Sequence, residues 1–224
     1  MTKRSHIVAL AAAFALTSLS VMVAAQRLTG TYQLERSRGD DAGQAVEQAT
    51  RALPANQRQG TYQRLMNRLN APETIAIDRT GLSVTIASSG GQQVTFEADG
   101  QIRAEQGPAG RPVNTRATLY GDQLVVTTTG SGNGGNDFAV TFEPLDNGRS
   151  LRVTKRIYDD NLRQPVAVQS FYRKSSDEAE WGVVSARRAS LPAGAATSAS
   201  DEIILGFSAI GERNIREAFK RIAR

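Results

Sequence analysis

From Glu73 to Lys174 apolar side chains recur at every second residue in short runs, and glycine-bearing turns break the runs at short intervals. Ile75 and Ile77 alternate, and Leu82, Val84 and Ile86 follow Asp78-Arg79-Thr80-Gly81. Val94 and Phe96 come after Gly90-Gly91. Ala117 and Leu119 turn back through Gly121-Asp122 into Leu124, Val126 and Thr128. Phe138, Val140 and Phe142 end at Pro144, and Leu151, Val153 and Ile157 follow Asp146-Asn147-Gly148. Val166, Val168, Ser170 and Tyr172 close the series. A period of two puts one face of each run on a core, so each predicts a half-buried strand. With Leu28 to Arg36 in front, this makes about nine strands, and Gln101 to Pro112 reads as a loop with a short strand near Ile102. Such a meander closes into a barrel or folds into a sandwich, and successive hairpins without helices between them favour the up-and-down barrel.

The period changes once inside this pattern. Asp40 to Leu53 carries Ala, Val and Glu at helical spacing behind a capping Asp, and Asn56 to Leu69 sets Tyr62, Leu65, Met66 and Leu69 on one face. Pro54 separates the two segments and Pro72 closes the second. Two short helices are therefore expected between the first strand and the rest of the sheet.

Met1 to Ala25 reads as a secretory signal peptide. Lys3 and Arg4 make a basic start, Ile7 to Ala25 is almost wholly apolar, and Val23-Ala24-Ala25 supplies small residues for cleavage before Gln26. An uncleaved anchor is the alternative, since nineteen residues approach a membrane span. The chain has no cysteine, so the core carries stability without disulfides. Its one histidine, His6, leaves with the signal. The exported form then lacks imidazole bases, thiolate nucleophiles and His/Cys metal sites. Its formal charge falls from +5 to +3, a mild excess carried mostly by arginine, and no nucleic-acid footprint.

Gly30-Thr31-Tyr32 opening the first strand resembles the lipocalin-like (calycin-type) signature of Gly, any residue, then an aromatic at the barrel floor. Arg173, at the end of the last strand, stands where that family places a basic residue across the aromatic. The resemblance extends over Leu28 to Lys174 in strand count and order; Tyr replaces the usual Trp, and the helical insertion departs from the pattern. It implies a closed end filled by Tyr32 and Arg173, an open end framed by loops, and an interior that holds either its own side chains or one small ligand.

Catalytic constellations are thin. Ser208 in Gly206-Phe207-Ser208-Ala209-Ile210-Gly211 misses a nucleophile elbow by one residue and has no histidine to serve it. The acid pairs Asp40-Asp41, Asp159-Asp160 and Asp177-Glu178 lie where turns and helix starts take acids as caps. Gly130 to Asn136 lacks the following helix of a phosphate loop, and Asp137 alone makes a poor calcium site, so it reads as a hairpin loop. No metal site, cofactor or catalytic residue is expected. Arg116, Thr118 and Tyr120 on one strand, and Arg152, Thr154, Arg156 and Tyr158 on another, put basic and phenolic groups on one side. They form either an anion-holding surface or an ordinary solvated wall.

Behind the barrel domain, residues 26–174, the segment 175–200 reads as a linker that carries Trp181 and the small-residue run Ser190 to Ser200. Asp201 to Arg224 predicts a helical, basic tail with Ile203, Ile204, Leu205 and Phe207 near its start, fit for a peripheral membrane or protein contact. Two functions stand open. One is a non-catalytic, periplasmic or secreted module of a bacterial-type envelope that binds a small hydrophobic or amphipathic ligand through Tyr32, Arg116, Tyr120, Arg156, Tyr158 and Arg173. The other is a structural or protein-interaction protein of the envelope with a solid barrel.

Overall fold

A computed structural model describes residues 27–184 apart from 90, 92, 107–111 and 131–136. Ten antiparallel strands form one sheet: β1 (Gly30–Gly39), β2 (Thr74–Thr80), β3 (Ser83–Ser88), β4 (Val94–Glu97), β5 (Asp99–Gln106), β6 (Pro112–Tyr120), β7 (Gln123–Thr129), β8 (Asp137–Leu145), β9 (Ser150–Tyr158) and β10 (Val166–Ser176). Their order is β4-β3-β2-β1-β10-β9-β8-β7-β6-β5. Joining of β1 to β10 brings the two ends of the meander together, as the alternation predicts for an up-and-down barrel. Closure is incomplete between β4 and β5, which are adjacent in the chain but not paired as ladder neighbours; the Arg103 side chain donates to the Glu97 carbonyl across the gap at 3.2 Å.

That break is where the sequence-based expectation of a hairpin differs from the structure. Asp99-Gly100 lies inside β5, with Gly100 at φ +77°, and the register to β6 is irregular between Asp99 and Ile102. The left-handed residue bends the chain away from β4, and Arg103 fixes the bend by donating to both oxygens of Asp99 at 2.9 and 2.8 Å. Within the segment predicted as a loop with a short strand near Ile102, residues 101–106 belong to the eight-residue strand β5, and 107–111 lie outside the described residues.

The helical insertion forms as α1 (Ala42–Thr50) and α2 (Ala55–Leu69). Asp41 caps α1 by accepting from the Gln44 amide at 3.2 Å, and Asp40 reaches β10, accepting from the Gln169 amide at 2.8 Å. Val46, Leu65 and Leu69 join the barrel core, with Tyr62 and Met66 packed against it. Since β1 ends and β2 begins beside this pair, α1 and α2 cover the end of the barrel opposite the floor. No helix among the described residues is long and apolar enough to cross a membrane.

Beyond β10 the chain turns back. Thr31 donates to the Glu178 carbonyl and accepts from the Glu180 amide, both at 2.8 Å. Ala179, Trp181 and Val184 then pack against Ala76 and Ala87. Thr31, Ala76 and Ala87 are register partners on β1, β2 and β3, so residues 177–184 strap the outer wall across three strands.

Candidate functional site: the barrel interior

Tyr32 fills the floor and is fully buried. Its hydroxyl donates to the carbonyls of Leu28 (3.0 Å) and Arg27 (3.1 Å), and burial, with the nearby Asp177 charge second, pushes the phenol far above its ordinary range. The basic group across the ring is Lys174, with Nζ 5.5 Å from the centroid. Arg173, expected there by resemblance, points outward with its side chain 77% exposed and pairs with Glu35 at 2.7 Å. Alternation along β10 explains the exchange: Lys174 shares the inward parity of Tyr172, and Arg173 does not. Lys174 Nζ also donates to the Thr29 carbonyl at 2.7 Å, tying β10 to the chain before β1.

The other four residues marked by the sequence stand outside. Arg116 and Arg156 are exposed, as are Tyr120 (65%) and Tyr158. Register places Arg156, Ala139, Thr127 and Arg116 in one row across β9, β8, β7 and β6. Three strand spacings set the strands of the two guanidiniums about 14 Å apart. This wall is the solvated face of the alternation, and Tyr32 is the one of the six that faces the interior.

Inside, the sheet register lays side chains in rows. Val168, Lys155, Val140, Val126 and Ala117 make one row over five strands, and the lysine is its single charge. Lys155 is 3% exposed, and its Nζ donates to the Asn70 carbonyl at the carboxyl end of α2 at 2.6 Å. One row nearer the helices come Thr115, Thr128, Phe138 and Ile157. Arg68 of α2 lies over the Phe138 ring at 5.8 Å. At 7% exposure its guanidinium is desolvated, which pushes its pKa down to about 10 against the support of the Asp159 charge.

Asp159 is the anion of this end. Burial works against its charge, but the hydrogen bond from Arg64 (2.8 Å) and those from the Asn161 amide (3.0 Å) and side chain (2.9 Å) prevail and hold the carboxyl below its ordinary value. The pair joins α2 to the β9–β10 turn. Among the described residues three fully buried hydroxyls have no hydrogen-bond partner, those of Thr74, Thr128 and Tyr172; Thr128 and Tyr172 stand on inward positions. Burial pushes the Tyr172 phenol far above its ordinary value, with the Glu73 charge adding to it, so the group is a neutral donor.

Lys155 stands out in the sequence as the one charge in the alternating series Leu151, Val153 and Ile157. Arg68 does not, because an arginine on an amphipathic helix reads as solvent-facing; its place three residues after Leu65, on the buried face, is the signal that could have found it. The glycine-rich loop and the C-terminal tail lie outside the described residues.

The architecture is a nearly closed barrel of ten antiparallel strands in a meander. No protein-family profile matches the chain, and no curated protein does. Solved structures with a similar outline include the REP1-NXSQ fatty acid transporter, 18% identical, with a TM-score of 0.40 over 66% of this chain and 95% of that one. The wild-type fluorescent protein UnaG is 20% identical, with a TM-score of 0.43 over 66% and 96%. Lipid binding protein 8 of Caenorhabditis elegans is 15% identical, with a TM-score of 0.42 over 69% and 99%.

Proposed function

We propose that this chain is an exported, non-catalytic binding module that holds a small amphipathic molecule inside the barrel. The observation that carries the reading is the buried Tyr172 hydroxyl, a neutral donor without an acceptor in an interior lined mostly by aliphatic and aromatic side chains. A buried donor left unmade costs about 1–3 kcal/mol, and a ligand acceptor at that point removes the cost. Thr128 is a second open hydroxyl, and the buried cations Lys155 and Arg68 favour a ligand whose polar end is anionic or rich in acceptors. The apolar rows take its hydrocarbon part. Export is supported by the signal-like Met1 to Ala25, and a binding role by a chain whose one histidine lies within that segment.

Native mass spectrometry of the chain purified from its own host, followed by titration with the anionic apolar probe 1-anilinonaphthalene-8-sulfonate, tests the reading. Expected are a non-covalent adduct on the purified protein and a saturable 1:1 probe site weakened in Tyr172→Phe. A protein without adduct that also fails to take up the probe sinks the proposal in favour of a solid barrel. An intact mass starting at Gln26 checks the export step.

A further inference from the structure

A cleft of about 500 Å³ opens on the outside of the barrel at the floor end, between the β8–β9 turn and the end of β10. Arg149, Ser150, Arg173 and Lys174 line it, together with Asp146 and Asp177. The turn is firmly seated. Asp146, Asn147 and Gly148 take positive φ (+52°, +58° and +87°), and a Cβ on Gly148 would stand 2.8 Å from the Arg27 carbonyl. The Arg149 carbonyl accepts from the Lys174 amide at 2.9 Å, which ties the turn to β10.

The donors around this cleft are unequally engaged. Arg173 is taken up by Glu35, and Lys174 by the Thr29 carbonyl and Asp177. Arg149 donates only through Nε, to the Asp146 carbonyl at 3.2 Å, so its two terminal nitrogens have no partner among the described residues. Ser150 follows it and opposes Arg173 in the β9–β10 register, with outward parity next to the inward, fully buried Leu151. Ser150 is only 9% exposed, yet its hydroxyl makes no hydrogen bond among the described residues and lines the cleft. Polar groups so nearly buried are as a rule bonded. A guanidinium fork matches a carboxylate through two parallel hydrogen bonds, and a hydroxyl donates a third. Asp146 and Asp177 bring negative charge to the same lining, which repels a dianion more strongly than a monoanion. We propose that this cleft is a second binding site, which takes the carboxylate of a small molecule between the Arg149 guanidinium and the Ser150 hydroxyl. It lies outside the barrel and is independent of what the interior holds.

Acetate, titrated into the purified protein against chloride at equal ionic strength and followed by amide NMR, tests it. Expected are saturable shifts at residues 146–150 and 173–176, with the amides of β7 unmoved. Arg149→Gln should weaken this binding about tenfold, the loss of a charged, two-pronged donor. Ser150→Ala leaves the hydrogen bonds of the turn in place and should weaken it about threefold, so the site is read even if the arginine variant loosens the turn. Arg163→Gln, an exposed arginine in the β9–β10 turn at the opposite end of the barrel, should leave it unchanged. Shifts that chloride reproduces, equal affinity in all three variants, or tighter binding of inorganic phosphate than of acetate overturn the assignment.

Discussion

The hydroxyl of Tyr172 separates stability from binding at a single atom. It makes no hydrogen bond within the protein and is fully buried, so Tyr172→Phe should leave the unliganded protein unchanged or more stable by up to about 1 kcal/mol. The same change should weaken probe binding about tenfold, the loss of one well-placed hydrogen bond. Chemical denaturation and probe titration on one pair of proteins check both halves, and a destabilised variant with normal binding would make the tyrosine merely structural. Asp159 predicts the opposite. Its folded pKa is depressed, so the stability it contributes is fully present above its unfolded value of about 4 and is lost as pH falls through the folded value. Asp159→Asn should cost about 1–3 kcal/mol at pH 7 and flatten the acid limb of the stability profile between pH 5 and 2, measured by urea unfolding at each pH.

At the scale of elements, two cations tie the cover of α1 and α2 to the barrel by hydrogen bonds, each reaching a different partner. Lys155 of β9 donates to the end of α2, and Arg64 of α2 reaches Asp159 beyond β9. Lys155→Met keeps the apolar stem and removes the donor, so exchange over Ala42–Leu69 should rise at least tenfold while β7 and β8 stay protected. Uniform acceleration would instead report global destabilisation. Both helices and the aspartate cap of α1 were legible in the sequence because an acidic start and Pro54 punctuate a clear change of period. The course of β5 was not, since Asp99-Gly100 is a turn signal in any sequence, and only the competition between β4 and β6 as partners shows that it bends a strand. Gly30 shows how much one residue of the floor motif carries. Its φ is +148°, and an added Cβ would stand 2.7 Å from the Ser176 carbonyl, so Gly30→Ala should destabilise by about 1–3 kcal/mol in thermal unfolding.

For the whole molecule, the interior and the outer wall obey one alternation, and it assigns charge. Inward parity gives Lys155 and Tyr172 to the barrel; outward parity gives Arg116, Arg156 and Arg173 to solvent. The sequence pattern contained this rule, yet basic and phenolic residues drew attention to the solvated side because burial, rather than residue type, makes a polar group costly enough to signal a ligand. The same parity explains why residues 177–184 belong to the folded body. Thr31, Ala76 and Ala87 are small outward residues in register, and they leave a shallow lane on the wall that Ala179, Trp181 and Val184 occupy. Thr31 is the polar anchor of that lane, with its hydroxyl bonded both ways to the strap. Thr31→Val keeps the shape and removes both hydrogen bonds, at a cost of about 1–2 kcal/mol. Since Trp181 is the chain's one tryptophan, its emission reads the strap directly. In the native protein, emission and far-ultraviolet circular dichroism should change together on heating, as one cooperative unit requires. In Thr31→Val the emission should shift to the red several degrees before the sheet melts, because the strap then has lost its anchor while the ten strands keep theirs. Coincident transitions in both proteins would mean that apolar packing on Ala76 and Ala87 suffices to hold the strap.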